Sequence, residues 1–129
     1  GFWRGSLEKA AAGERVVLGA WADGTLAGTV TLDLCQMPNQ PHRAEIAKLM
    51  TRVGHRGRGA ATALMAAAEA EAVTRRRSLL VLDTAEEDGA ADLYRRLGYT
   101  AAGTIPDYAL KPHGGLTGTI LFWKRLAAA

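Results

Sequence analysis

A glycine-containing loop connects a strand-like segment to a long helix-like segment of this chain. The loop reads Arg56-Gly57-Arg58-Gly59-Ala60-Ala61. It follows Ala44–Met50, where residue types alternate as in a strand, and leads into the alanine-rich segment Ala60–Thr74. Glycines let backbone N–H groups turn toward one point, and a helix start adds partial positive charge. This order predicts a loop that binds an anion such as a pyrophosphate.

The charges beside the loop agree with an anionic ligand. Arg52, Arg56 and Arg58, with His55 next to them, could donate charge-assisted hydrogen bonds to phosphate oxygens. The loop is not a Walker A motif, because no Gly-Lys-Ser/Thr closes it. It also lacks the third glycine and the preceding parallel β-unit of a dinucleotide fingerprint. ATP and NAD are therefore disfavoured, while a plain turn with solvated arginines stays open as the structural alternative.

The patterns along the rest of the chain predict an α/β (α+β) fold with a mixed, mostly antiparallel twisted sheet flanked by helices. Asp23-Gly24 between two apolar runs is a strong signal for a tight hairpin turn. Helix formers before Gly13 predict an opening helix over Phe2–Ala12. The other expected elements are strands over Val16–Trp21, Leu26–Leu32, Leu79–Leu82, Tyr99–Ala102 and Thr117–Lys124, and a second helix over Gly89–Leu97.

Two faces can be assigned from the spacing. In the strand before the loop, Glu45, Ala47 and Leu49 are expected to share one side. In the long helix, one apolar stripe is expected to contain Ala61, Leu64, Met65, Ala68 and Ala72.

Length and composition narrow the class of protein. At 129 residues, a single domain over 1–129 is expected. The net charge is +3, but no block of like charge exceeds Arg75-Arg76-Arg77, so nucleic acid is a poor partner. The lone Cys35 is interpreted as a packing residue. With no signal peptide and no apolar run near 18 residues, a cytoplasmic protein away from membranes is expected. The scattered His42, His55 and His113 predict no metal site.

The sequence resembles the GNAT superfamily of N-acetyltransferases. The family's acyl-CoA motif, Gln/Arg-x-x-Gly-x-Gly/Ala, is met by Arg56, Gly59 and Ala61. The strand Lys48–Thr51, the helix after the loop, and a later segment from Ala90 to Tyr99 occur in the family's order. The resemblance implies acetyl-CoA as co-substrate. It implies that the cofactor is bound by Leu49, Met50, Thr51, Arg56, Gly57, Arg58, Gly59, Ala60 and Ala61.

Within that family, several segments resemble the tabtoxin resistance acetyltransferases, among them Arg43-Ala44-Glu45 and Leu82-Asp83-Thr84. Two departures are visible. The chain is expected to lack the family's first strand and helix and to begin at the second helix. Glu87 stands where many members carry an asparagine that helps to hold the pantetheine arm.

Acetyl transfer needs a neutral amine, and carboxylates are candidates to accept its proton. Glu45 and Asp83 lie on strands that can meet at the opening of the sheet, where α/β sheets commonly bind ligands. The resemblance implies that both carboxylates help to deprotonate the amine, through water. It implies Tyr94 as the acid that protonates the leaving thiolate, and a backbone N–H of Leu49 or Met50 as the donor to the oxyanion. Structural roles stay open: Glu45 as a partner of Arg43, Asp83 as a turn or capping residue, and Tyr94 as a packing aromatic.

The expected function is acetyl-CoA-dependent transfer to a primary amine by direct attack in a ternary complex. A small-molecule amine, such as a toxin or antibiotic, is favoured over a protein amine, and the enzyme is expected as a monomer or homodimer. A non-catalytic acyl-CoA-binding module and a small basic nucleic-acid binder are the alternatives. Acceptor selectivity is expected in the loops Gln36–Arg43 and Ile105–Gly115.

Overall fold

The computed structural model describes residues 6–52, 59–86 and 89–127. In order along the chain, its elements are β1 (Ser6–Ala12), β2 (Arg15–Ala22), β3 (Thr25–Leu34), β4 (Arg43–Thr51), α1 (Ala60–Thr74), β5 (Leu79–Ala85), α2 (Ala91–Arg96), β6 (Thr100–Leu110) and β7 (Leu116–Arg125). These strands and helices form the mixed, mostly antiparallel fold that the sequence predicts.

The chain divides into two compact units. The first runs to Leu80 and includes Leu126, and the second covers Val81–Arg125. Strand β5 begins in the first unit and continues in the second. A single domain over the whole chain stays a prediction.

In the first unit the strands follow the order β1-β2-β3-β4, and each neighbouring pair is antiparallel. The predicted opening helix is wrong over its described part, because Ser6–Ala12 is strand β1 and pairs with β2 from Ser6↔Trp21 to Ala12↔Arg15. Alanine's helix preference is a weak prior of less than about 1 kcal/mol per residue, and pairing along a neighbouring strand overrides it. Gly13, with φ of 48°, forms the turn between two strands instead of ending a helix.

The predicted hairpin at Asp23-Gly24 is confirmed. Ala22 pairs with Thr25, so only Asp23 and Gly24 form the turn. Both turn residues have positive φ, 52° for Asp23 and 77° for Gly24. A two-residue turn with positive φ at both positions matches the right-handed twist of the flanking strands.

Helix α1 packs against β2, β3 and β4. Its buried stripe consists of Ala60, Leu64, Met65, Ala68 and Ala72. The predicted stripe is therefore confirmed except at Ala61, which is half-buried and whose place is taken by Ala60.

In the second unit the strand order is β5-β7-β6, and β6 and β7 are antiparallel. Helix α2 ends before Gly98, whose φ is 94°, and the N–H of Tyr99 donates to the carbonyl of Tyr94 at 3.0 Å, as at many helix ends with a left-handed glycine. Strand β6 is longer than predicted. It includes Ile105–Leu110, so only the turn between Leu110 and Leu116 remains of the predicted second selectivity loop.

Candidate active site

Strand β4 carries a β-bulge where the sequence places the co-substrate. Ala47 lies opposite Thr31 and Met50 lies opposite Thr29, so three steps along β4 match two along β3. Lys48 has φ of 54°, which is unusual for a residue other than glycine. The inserted residue interrupts the ladder and makes backbone groups of β4 available to a ligand.

The bulge also changes which residues share a face. Directly opposite side chains of an antiparallel pair project to the same side of the sheet. The β3 partners of Glu45, Ala47 and Met50 are every second residue of β3, so these three lie on one face. Glu45 and Ala47 share a face as predicted, but Leu49 does not continue it. Met50 takes that place because one residue is inserted, and its side chain is 60% exposed.

Gly28 holds the bulged end of β4 close to β3 and α1. A Cβ at this position would lie 2.6 Å from the Met50 carbonyl oxygen and 3.1 Å from Cδ1 of Leu64. Only glycine fits such an approach. The end of β4 and the first turns of α1 are therefore neighbours.

No side chain of the described residues caps the start of helix α1. Gly59 precedes the helix with φ of 83°, its carbonyl accepts the Ala63 N–H at 3.0 Å, and the first turn contains no acidic residue. The first N–H groups of a helix have no partner within it, and their combined dipole favours an anion. Gly59, Ala60 and Ala61 lie at the start of α1, where the sequence predicts a helix to begin, and their role in binding the co-substrate stays a prediction. Arg56, Gly57, Arg58, His55 and Glu87 lie outside the described residues.

The Glu45 carboxylate is paired with Arg43. Arg43 Nη1 donates to Glu45 Oε1 at 2.7 Å, and this hydrogen bond is the main reason that the pKa of Arg43 is raised. Arg43 is itself held, because its Nε donates to Gln40 Oε1 at 2.6 Å and its Nη2 to Cys35 Sγ at 3.2 Å. The pairing of Glu45 with Arg43, which the sequence offered as a structural role, is therefore present. Because the Glu45 side chain is 52% exposed, it still faces solvent.

Arg77 anchors the loop between β3 and β4 that the sequence associates with acceptor selectivity. Its Nη1 donates to the backbone carbonyls of Cys35, Pro41 and Arg43. Its Nε is buried without a hydrogen-bond partner in the described part of the chain. Arg75 pairs with Glu71 at 2.8 Å. Two arginines of the basic block are therefore used within the structure.

In the second unit, Asp83 accepts a hydrogen bond from a buried hydroxyl. Thr119 Oγ1 lies 2.8 Å from Asp83 Oδ2 and 3.1 Å from the Thr84 carbonyl, and Thr119 is 2% exposed. Asp83 itself is exposed. The hydrogen bond from Thr119 thus fixes the Asp83 carboxylate, while Asp83 remains accessible to solvent. Asp83 is a strand residue and caps no helix, which removes one of its structural alternatives.

Tyr94 is the buried residue of helix α2, with 6% exposure. Its ring contacts Tyr99 edge-on at 6.1 Å between centroids and Phe122 in a tilted arrangement at 5.8 Å. The packing role considered for Tyr94 is therefore present, and a role in catalysis would be additional to it.

The predicted site residues fall into the two units. Those of the first unit are Glu45, Leu49, Met50, Thr51, Gly59, Ala60 and Ala61, and those of the second are Asp83 and Tyr94. The sequence missed Thr119 and Arg77, whereas it did offer Arg43 as the partner of Glu45. An isolated threonine in an apolar strand carries no signal by itself. Arg77 was interpreted only by its charge.

Over residues 6–52, 59–86 and 89–127, no helix is long and apolar enough to cross a membrane. In the same ranges, no three side chains of His, Cys, Asp or Glu come together as a metal site would need.

Comparison with known proteins identifies the class that this fold and site define. The model of the acetyltransferase (GNAT) family matches residues 2–99. The chain therefore belongs to the GNAT family. Its predicted assignment as an N-acetyltransferase that uses acetyl-CoA is confirmed at the level of the family.

Solved structures show the same fold. The ribosomal-protein-S18-alanine N-acetyltransferase from Escherichia coli is similar with a TM-score of 0.79 and 18% identity, covering 92% of this chain and 74% of that one. A GNAT-family acetyltransferase from Streptococcus pneumoniae has a TM-score of 0.80 and 20% identity, covering 90% and 70%. The structure of yncA from Salmonella typhimurium with its cofactor acetyl-CoA has a TM-score of 0.79 and 18% identity, covering 89% and 66%.

Proposed function

We propose that this chain transfers the acetyl group of acetyl-CoA directly to a primary amine of a small molecule, in a ternary complex without an acetylated enzyme intermediate. A covalent route needs a nucleophile next to a base. Cys35 contacts Gln40 and Arg43, neither of which can accept its proton. Direct attack by the amine is therefore the simpler chemistry.

The observation that carries the proposal is the bulge at Lys48 beside the start of α1, which no side chain in the described part of the chain caps. An interrupted strand offers backbone donors and acceptors to an extended pantetheine arm, much as a neighbouring strand would. The helix start favours the pyrophosphate of the same molecule. Gly28 keeps these two features adjacent, as an elongated ligand with a phosphate at one end requires.

The reaction then follows with a defined fate for each proton. Glu45 or Asp83, through a water molecule, accepts the proton of the amine, whose nitrogen forms a bond to the thioester carbon. The N–H of Leu49 or Met50 stabilises the oxyanion. The C–S bond breaks, and Tyr94 donates a proton to the coenzyme A thiolate.

The narrower likeness to tabtoxin resistance acetyltransferases supports a small-molecule acceptor. Glu45 and Asp83 are exposed, so an amine from solution can approach either carboxylate. Their negative charge would attract a cationic amine before it loses its proton.

A pair of matched variants tests the co-substrate site. Ala61→Asp places a carboxylate in the first turn of α1, where it stabilises the helix but repels a phosphate. We expect the Kd for acetyl-CoA, measured by calorimetry, to rise by at least about tenfold, corresponding to about 1.4 kcal/mol. The control Ala66→Asp, at an exposed position of the same helix, should leave the Kd unchanged.

Turnover separates an enzyme from a binding module. Release of coenzyme A thiol with a panel of small amines and an amino-terminal peptide is the direct assay. If both aspartate variants bind acetyl-CoA as tightly as the unsubstituted protein does, the cofactor does not bind at the start of this helix. Tight acetyl-CoA binding without turnover of any amine would favour the non-catalytic module.

A further inference from the structure

Lysine is rare in this chain, and one lysine lies in the bulge of β4. The four lysines are Lys9, Lys48, Lys111 and Lys124. The Lys124 ammonium donates to the Leu97 carbonyl at 2.8 Å, and Lys111 makes an interaction of its own. Lys48 has an exposed side chain, and its ammonium has no partner in the described part of the chain. Lys48 therefore carries an amine that is available for reaction.

The inserted residue in β4 also places this amine beside the proposed acetyl site. Lys48 has φ of 54°, and a bulge commonly re-aims a side chain next to an active site. The residue after Lys48 is Leu49, whose N–H is one of the two proposed donors to the acetyl oxygen, and the other donor belongs to Met50. All three residues and helix α1 belong to the first unit. Only one or two residues of backbone thus connect the Lys48 amine to the proposed thioester site.

Covalent geometry limits how far the amine can be from that thioester. If the carbonyl oxygen accepts the Leu49 N–H at about 2.9 Å, the carbonyl carbon lies at most about 6.5 Å from the Cα of Lys48. With the Met50 N–H as the donor, the limit is about 9 Å. An extended lysine side chain reaches about 6 Å from its Cα, and attack needs the nitrogen about 3–3.5 Å from the carbon. The Lys48 amine can therefore reach the thioester with either donor.

We infer that the chain acetylates itself at Lys48 when acetyl-CoA is bound and no acceptor occupies the site. This inference rests on the proposed function, because the same bound thioester supplies the acetyl group. It adds a further activity, self-acetylation, and a modification site. Holding both reactants on one chain makes the step unimolecular, and well-oriented intramolecular reactions reach effective molarities of about 10⁵–10⁸ M. Even a loosely oriented lysine should therefore react faster than one that meets acetyl-CoA by diffusion.

The reaction balances without any further reactant. The Lys48 ammonium first releases a proton to water, because only the neutral nitrogen has the lone pair that attacks. A bond forms between Nζ and the thioester carbon, the C–S bond breaks, and coenzyme A leaves as a thiolate that takes up a proton. The products are Nε-acetylated Lys48 and coenzyme A. The modification removes the positive charge of this side chain.

Peptide mass spectrometry of the chain, incubated with acetyl-CoA and no acceptor, measures the modification directly. We expect an acetyl group on Lys48 to form at least about tenfold faster than on Lys111 or Lys124. The rate constant should not change with protein concentration, because the amine and the thioester are held by one molecule. Excess coenzyme A should suppress acetylation of Lys48, since it displaces the bound thioester, and should leave chemical acetylation of the other lysines unchanged.

Variants assign the modification to the bound thioester. Lys48→Arg keeps the charge but offers a guanidinium that stays protonated, so acetylation at this position should be lost without a gain at another lysine. Ala61→Asp should slow acetylation of Lys48 by about tenfold at acetyl-CoA concentrations below the Kd, because occupancy falls in proportion to the weaker binding. Ala66→Asp is the matched control and should leave the rate unchanged.

Three results would overturn the inference: acetylation of Lys48 no faster than that of the other lysines, no suppression by excess coenzyme A, or a rate constant proportional to protein concentration. If amines in solution are acetylated while Lys48 is not, the proposed function stands and self-acetylation alone is wrong. If calorimetry shows that acetyl-CoA does not bind, the proposed function fails. Any acetylation of Lys48 then comes from acetyl-CoA in solution, and the inference fails as well.

Discussion

The hydroxyl of Thr119 donates a hydrogen bond to the carboxylate of Asp83 at 2.8 Å, from a position that is 2% exposed. The carboxylate therefore has a fixed orientation although Asp83 itself faces solvent. A general base acts only from a defined position relative to the proton that it accepts. This relationship supports Asp83 as a functional group.

Asp83→Asn should lower kcat by about a hundredfold or more, because general base catalysis contributes on the order of 10²–10⁴. The Kd for acetyl-CoA should stay near its original value. Thr119→Ser keeps the hydroxyl and should be close to unchanged, whereas Thr119→Val should lower the rate and cost about 1–2 kcal/mol of stability. Steady-state kinetics and thermal unfolding measure the two effects. An unchanged rate in Asp83→Asn would exclude it as the base.

Glu45→Gln tests the other carboxylate. We expect a reduction of kcat with little effect on acetyl-CoA affinity, because the amide keeps the volume but cannot accept a proton. Arg43→Gln removes the contact that positions Glu45, so it should reduce kcat less than Glu45→Gln does. If neither carboxylate variant is slower, the amine must lose its proton elsewhere.

The pH dependence adds a separate check on this pair. Hydrogen bonding to Glu45 raises the pKa of Arg43 above its already high ordinary value. The stabilisation from a raised pKa is complete at lower pH and is lost only as the pH rises through the folded value. Arg43 should therefore stay charged from pH 6 to 9, and Arg43→Gln should not remove any ionisation seen in the kcat/KM profile over that range. Disappearance of such a step would contradict this assignment.

Tyr94→Phe separates catalysis from packing. The phenylalanine ring can keep the contacts to Tyr99 and Phe122, so the melting temperature should change by only a few degrees. The loss of the hydroxyl should lower kcat by about tenfold or more if it protonates the thiolate. Tyr94→Leu is the control for packing and should lower stability clearly. Full activity of Tyr94→Phe would leave the residue with a structural role only.

Gly28→Ala should destabilise the first unit by about 1–3 kcal/mol, the typical effect of an added methyl group in a tightly packed place. The added Cβ meets the backbone of β4, which cannot rotate away. Gly24→Ala is the matched control, because no atom of the described residues lies within 4 Å of its Cβ, so the left-handed backbone opposes it at about 1 kcal/mol. Denaturant unfolding compares them. A smaller effect at Gly28 than at Gly24 would show that β4 can move away.

Arg77→Met should loosen the loop before β4. Losing this donor leaves the carbonyls of Cys35, Pro41 and Arg43 without it, and the contacts to Cys35 and Arg43 are partly buried. We expect faster proteolytic cleavage between Gln36 and His42 and faster amide exchange there. Arg76→Met, at an exposed neighbouring position, should leave the cleavage rate unchanged.

Local patterns were sufficient for much of this fold. The hairpin at Asp23-Gly24, helix α1 and the glycine that follows α2 depend on the conformations that a few adjacent residues allow, so the sequence predicted them. The glycine-containing loop and its helix also identified the family. The opening segment was predicted wrongly, because Ser6–Ala12 has helical composition while its structure depends on pairing with β2.

Relationships between distant residues were decided only by the tertiary structure. The bulge at Lys48 displaced Leu49 from its predicted face, because strand register depends on the partner strand as well as on alternation. Thr119 reaches Asp83, and Arg77 reaches the loop before β4, across 36 or more positions of sequence. A single residue type cannot encode such contacts, since they exist only once the strands are paired. The sequence thus determined which chemical groups are available, and the packing determined which of them meet.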